Sequence, residues 1–477
     1  MTIENKKLKL NYKNTIFIGM AFFTITLLWT VYGQYCPLML ERVLINSGRC
    51  ASKEETLFPV GIIMALDNGL ALFMLPIFGT LSDKTKCSFG KRMIYVFPGM
   101  IASAIVFPFI ALAFWLQPSS IILLVSLMGL VLIIMNVYRN PAVALMPDVT
   151  PKPLRSKANG IINFIGYVGG AIGGILMMIF PIVNKKTEVW TEHNAMFSFI
   201  IAAVFMLVSA IILVINIKEN KLLKEVAKDI EEGEKESETF SNVEGGEKLS
   251  KVDKRNLIIV LLGVLFWYFS FNAIESFASL FCANILGNPD YSGMIVIVLT
   301  GTSLVSFLLL LNLPAKIGRK WTVLLGIGLM MIAFIGILIT LLAFGVFKSD
   351  YAYFSEKNPD GLDWSKRIFI IYGFVSIIGI GWALINANSY PMIVELASTK
   401  TIGRYTSLYY TFSMVAQTLT PIIAGGWMTY FEASGLKLLF IYSLLMIVIA
   451  GVIMLFFKEK KKVIKKQKIG FESLDND

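Results

Sequence analysis

Three ionisable side chains, Asp67, Arg139 and Glu275, stand inside long apolar runs of this sequence, and they are where its chemistry must be sought. A charge at the centre of a bilayer costs about 2.5–3.5 kcal/mol on insertion scales, so each needs a task or a partner. Burial disfavours the charged form of Asp67, which suits a proton carrier; a structural hydrogen bond to a neighbouring helix accounts for it equally. Arg139 must face a cavity or a carboxylate. It could bind hydroxyls, compete with a ligand for Asp67, or form a purely structural ion pair. Glu275 follows Asn272 by three residues and precedes Ser279 by four, so the three share one helical face. Ser413, Gln417 and Thr420 repeat the theme, where interhelical polar contacts are the better explanation. Trp29, Tyr32, Gln34, Tyr138, Trp267, Trp382, Asn386 and Asn388 join Asn272 as aromatic platforms beside amides, suited to a ligand with apolar faces and polar rims. Trp382 and Asn386, four residues apart, form the best pair. Interfacial aromatic belts are the alternative for the Trp and Tyr residues.

The elements that hold these residues follow from composition. The chain has 477 residues, of which 56% are hydrophobic and 16% charged. A soluble domain could not cover that much apolar surface with so few charges, whereas a bilayer can. The net charge of +11 would fit a nucleic-acid binder, but no such motif is present, and membrane proteins collect Lys and Arg on cytoplasmic loops. Cys36, Cys50, Cys87 and Cys282 show no pairing or metal spacing and read as free thiols, so neither metal nor cofactor is expected. The glycines of the fifth apolar run, Gly160, Gly166, Gly169, Gly170, Gly173 and Gly174, lie within a membrane span with no phosphate-loop lysine. They predict close packing and sliding of helices. No acid/base or metal constellation of an enzyme is found.

Runs long enough to cross about 30 Å of hydrocarbon fall near 15–40, 58–81, 93–115, 120–146, 157–183 and 194–216. A second six fall near 256–285, 291–314, 321–347, 367–393, 402–431 and 436–457. The fold class is therefore an all-α polytopic membrane protein of twelve transmembrane helices in two pseudo-symmetric six-helix bundles. The expected organisation is a tail over 1–14, bundles over 15–217 and 256–457, a charged linker over 218–255, and a basic tail over 458–477. The mixed charge of the linker predicts a solvated segment, partly helical at most, with a regulatory domain as the minor alternative. Most Lys and Arg fall on one side if both termini and the linker are cytoplasmic, and Lys458, Lys460, Lys461, Lys462, Lys465 and Lys466 anchor that side. A multi-pass plasma-membrane protein is expected.

The halves echo each other. Asn136 to Pro141 in the fourth span is matched by Asn386 to Pro391 in the tenth. Arg155 and Arg404 open the fifth and eleventh spans, Trp29 with Gln34 answers Trp267 with Asn272, and the basic turn Gly90-Lys91-Arg92 answers Gly318-Arg319-Lys320. A duplicated bundle places its binding site between halves near the midplane and works by rocking one half against the other.

The loop from Gly79-Thr80-Leu81-Ser82-Asp83-Lys84 to Gly90-Lys91-Arg92 resembles the signature between the second and third helices of the major facilitator superfamily. In that loop Gly79 permits close packing, Asp83 can accept from a neighbouring helix N-terminus in one state, and the cations hold the inner face. Its insert between Asp83 and Gly90 is similar to that of the sugar–cation symporter branch, the glycoside–pentoside–hexuronide and sucrose-transporter-like proteins. Arg139-Asn140-Pro141-Ala142-Val143-Ala144-Leu145-Met146-Pro147-Asp148, followed by Arg155, Ala158 and Asn159, resembles the sucrose-transporter-like pattern. Val143 stands where the plant carriers place a cation. The resemblance implies a monomeric secondary transporter of a sugar or glycoside, by alternating access and without enzymatic activity. With Asp67 the only carboxylate of the N-terminal half at membrane depth, protons are favoured over sodium as the coupling ion. Asp67, Arg139 and Glu275 would serve coupling, and Gly79, Asp83, Lys84, Gly90, Lys91, Arg92, Asp148, Arg155, Glu395 and Arg404 gating. An exporter of another amphipathic solute, or an uncoupled facilitator, remains the alternative.

Overall fold

A computed structural model describes residues 8–183, 190–241, 251–310, 313–396 and 402–458. The first residues of the N-terminal tail, the end of the linker and the tail lysines from Lys460 onward lie outside the described residues. The first half consists of α1 (Tyr12–Asn46), α2 (Lys53–Lys84), α3 (Met93–Leu116), α4 (Ile121–Asp148), α5 (Arg155–Ile179) and α6 (Glu192–Asn216). The linker forms α7 (Glu219–Ser241). The second half consists of α8 (Lys251–Asn284), α9 (Asp290–Leu309), the short α10 (Leu313–Ile317), α11 (Arg319–Ala343), α12 (Ile368–Val394), α13 (Ile402–Tyr430) and α14 (Leu439–Leu455).

Local sequence explains the boundaries. Asn11 caps α1 by accepting from the Asn14 amide, and Ser52 with Glu55 forms a reciprocal capping box at α2, with Glu55 accepting from the Ala51 amide at 2.7 Å. Positive φ at Gly48, Gly90, Gly287 and Gly318 turns the chain at helix ends. Eleven described helices are long and apolar enough to span a bilayer. The twelfth expected span, α13, is 29 residues long but is diluted by Thr406, Ser407, Thr411, Ser413, Gln417, Thr418 and Thr420. It is kept in the bundle by packing against α2 and α8.

Within the first half α1 packs on α5 and α6, and α3 on α4 and α6; within the second α8 packs on α13 and α14, and α12 on α9 and α11. The halves meet along α2–α13, α5–α9 and α1–α8. The helix-five glycines do bring backbones together: a methyl on Gly169 would come within 2.5 Å of the Phe23 carbonyl oxygen, and one on Gly174 within 2.7 Å of the Gly293 carbonyl oxygen. The linker departs from the expectation. α7 is a 23-residue helix whose Leu222, Leu223, Val226 and Ile230 face inward, and Gly233 lies against Pro151, Pro153 and Leu8. Lys221, Lys224, Glu225 and Lys228 stay exposed on the outer face while Glu219 is buried, so the helix docks rather than floats.

Candidate functional site

The inter-half seams are closed at the end away from the linker. There Asn284 donates to Glu41 at 2.5 Å and accepts from Lys53 at 2.8 Å, and the Phe58 amide donates to the Thr429 hydroxyl at 3.0 Å. Gly61 lies against the Pro421 carbonyl and Gly425 against the Leu57 carbonyl. The same helix faces continue toward the linker end as Phe73, Pro76 and Thr80 of α2 and as Ser407, Tyr410 and Thr411 of α13, all exposed. The bundle is therefore shut at the far end and open at the linker end. Between them lies a cavity of about 390 Å³, within the range of small-molecule sites.

The first half contributes Trp29, Tyr32 and Gln34 from α1, Asp67 and Asn68 from α2, and Arg139 from α4. Asp67 is only 4% exposed. The Trp29 indole donates to its Oδ2, and among the described residues none bonds its Oδ1. The Arg139 guanidinium lies over the Trp29 ring, 4.0 Å from its centre, as a cation on the negative face of an aromatic. Arg139 and Asp67 are thus joined through one indole. Among the described residues no carboxylate ion-pairs directly with Arg139.

The second half contributes Asn272 and Glu275 from α8, Trp382 from α12 and Gln417 from α13. Glu275 is exposed to the cavity. Phe271 stacks on Trp382 with ring centres 3.8 Å apart and planes 4° apart, and Tyr268 meets the same indole edge-on. Phe271 and Tyr268 escaped the sequence reading, although Phe271 sits one turn before Glu275 on the same face.

Other expected site residues lie elsewhere. Trp267 is fully buried against Gly263 and Met454, and Tyr138 is fully buried against Gly99; both are core residues behind the cavity wall. Asn388 is buried, bonded to the Leu384 carbonyl, and borders a separate pocket near Arg319. Asn386 sits at the edge, donating to the Trp382 carbonyl at 3.2 Å and accepting from Tyr268 at 3.4 Å. Ser413 and Thr420 bond carbonyls of their own helix, and Ser279 is buried outside the cavity lining.

At the linker end the expected gating residues of the first half converge. Arg92, its side chain 5% exposed, donates to Ser82, Asp83 and Asp148, and Lys91 joins Asp148 at 3.0 Å. Asp83 takes this arginine rather than a helix N-terminus. That N-terminus is capped instead by Glu219 of α7, which accepts from the amides of Arg92 and Met93 at 2.9 Å, while Asn220 donates to the Cys87 and Ser88 carbonyls. Gly90, at φ +117°, leaves room for Glu219. Gly79 lies against Asn140 of α4. Lys84 ends α2 as a cation at a helix C-terminus. Arg155 donates to the carbonyls of Pro147 and Thr150. In the second half Arg319 meets Glu395 at 2.7 Å, and Arg404 stands exposed at the start of α13. The four cysteines are free thiols.

Solved structures share this architecture. A bacterial homolog to the human lysosomal transporter Spinster, inward-facing and occupied, matches at 15% identity and TM-score 0.61, over 94% of this chain and 97% of that one. The nucleoside transporter NupG matches at 13% and 0.59, over 94% and 100%. A bacterial homologue of the iron transporter ferroportin, inward-facing, matches at 11% and 0.62, over 95% and 100%. At such identities these likenesses establish the fold. No curated protein matches the chain in sequence. The family model described as MFS/sugar transport protein matches residues 56–431. The chain therefore belongs to that family of the major facilitator superfamily, and it is a multi-pass membrane transporter, not an enzyme.

Proposed function

We propose that the protein is a proton-coupled symporter of a sugar or glycoside in the plasma membrane, with both termini and the linker cytoplasmic and the cavity open to the cytoplasm. The observation that carries this reading is the pairing of two unlike walls. One holds a buried carboxylate with an unsatisfied oxygen, Asp67; the other holds stacked aromatics beside Asn272 and Glu275. A sugar ring laid against the Trp382 indole would bury its apolar face there and turn its hydroxyls toward the amides and Glu275.

Coupling follows from charge. The cavity is lined by two acids, Asp67 and Glu275, and one base, Arg139. When the linker end closes, water leaves, and an uncompensated negative charge becomes costly. A proton on Asp67 Oδ1 removes that charge and leaves the Trp29 bond to Oδ2 in place. The loaded carrier then crosses with its cavity neutral.

Counterflow of labelled mono-, di- and trisaccharides in proteoliposomes, with and without an imposed pH gradient, tests this. Asp67→Asn should abolish accumulation against a gradient while sugar exchange persists. Undiminished accumulation in that variant would reject the proton-carrier role. Absence of flux with every sugar would transfer the cavity to another amphipathic solute.

A further inference from the structure

The same charge count has a second solution. Three residues of the first-half wall each hold a buried oxygen with no hydrogen-bond partner among the described residues: Asp67 Oδ1, Gln34 Oε1 and the Tyr32 hydroxyl oxygen. All can accept a hydrogen bond, and two of them can do nothing else. Asp67 lies close enough to interact electrostatically with both Tyr32 and Glu275. Glu275 adds a carboxylate from the opposite half, and it makes no hydrogen bond or ion pair with another described residue. The one cation of the cavity lining, Arg139, is held over the ring of Trp29, the same indole that binds Asp67. The cavity therefore carries one more acid than base, and Glu275 stands without a described partner beside Trp382 and Phe271.

A neutral sugar fits this site incompletely, because it leaves the excess negative charge of the two acids uncompensated. A primary ammonium fits it fully: three donors, no acceptor and one positive charge. Carboxylates and aromatic rings together are also the surroundings that best hold such a group. We infer that the cavity takes one positive charge per cycle, and that a protonated amine on the substrate supplies it in place of the proton. Amino sugars are then substrates, seated with the ammonium between Glu275 and Asp67, and they cross without an accompanying proton. The inference rests on the reading of this cavity as the substrate site, and it sharpens the substrate class.

The test uses matched probes on the purified full-length protein: glucose, glucosamine and N-acetylglucosamine, then the galactose trio, with cyclohexylamine as an amine without a sugar. Thermal stabilisation and Trp fluorescence titration at about pH 7 should give the free amines roughly tenfold tighter binding than the neutral and acetylated partners. Glu275→Gln should bring that ratio near one, whereas Glu275→Asp should keep it well above one, with monodisperse elution of both variants showing that they fold. In proteoliposomes loaded with a pH dye, neutral sugar entry should change the internal pH by one proton per sugar and amino sugar entry far less, only by the share of the imported ammonium that dissociates, although both move one charge.

Equal or weaker binding of the amines would overturn the inference and leave the sugar reading intact. Equal proton movement with both probes would overturn the substitution. Binding of cyclohexylamine with no binding of any sugar would leave a cation site but overturn the amino-sugar assignment together with the sugar reading. Binding of none of the probes would sink both.

Discussion

In the first half the basic turn after α2 is built into the protein: Arg92 is buried between Asp83 and Asp148, and a helix from the linker closes over it with Glu219. In the second half the corresponding turn leaves Arg319 and Glu395 at the surface, 30% and 47% exposed. The duplication has kept the basic turn and changed its surroundings. The first half binds α2, α3, α4 and α7 into one block at the linker end, while the second joins α11 to α12 through a solvated pair. Rocking against a stiff partner concentrates deformation in the looser one, so the second half is where the linker-end gate should bend.

Substitutions can break this contrast. Arg92→Ala removes the buried cation that ties Ser82, Asp83 and Asp148 together, leaving Asp148 with Lys91 alone, and should cost about 2–3 kcal/mol, read as a drop in the unfolding temperature of the detergent-purified protein together with loss of transport. Glu219→Ala uncovers the α3 N-terminus and should cost about 1–2 kcal/mol. Glu219→Gln, still an acceptor, should cost less, and equal losses would show that the carboxylate charge is irrelevant to the cap. Arg319→Ala removes only an exposed pair and should change stability by about 1 kcal/mol or less. A loss at Arg319 as large as that at Arg92 would erase the asymmetry.

Much of the fold was legible because a bilayer imposes a length and a composition that no other environment demands, and the expected spans match the observed helices. The linker was misjudged because its charges drew attention from Leu222, Leu223, Val226 and Ile230, whose helical spacing marks a docking face. In the cavity, spacing could name Trp29 and Trp267 as counterparts but could not say that one faces the ligand and the other the core. The polar face of α8, with Asn272 and Glu275, fixes its rotation only coarsely, and Trp267 stands at the margin of that face. Asp67, Arg139 and Glu275 were legible because charge at membrane depth has few innocent explanations.

The far-end seam is made largely of main chain against main chain, at Gly61 with Pro421, Gly425 with Leu57 and Gly174 with Gly293. Those contacts hold by close dispersion, and the polar bonds beside them, Asn284 with Glu41 and Lys53, can exchange for bonds to water when the seam parts. Its two arrangements can therefore differ little in free energy. A carrier needs that near-equality, because after delivery it must return with nothing bound to drive it.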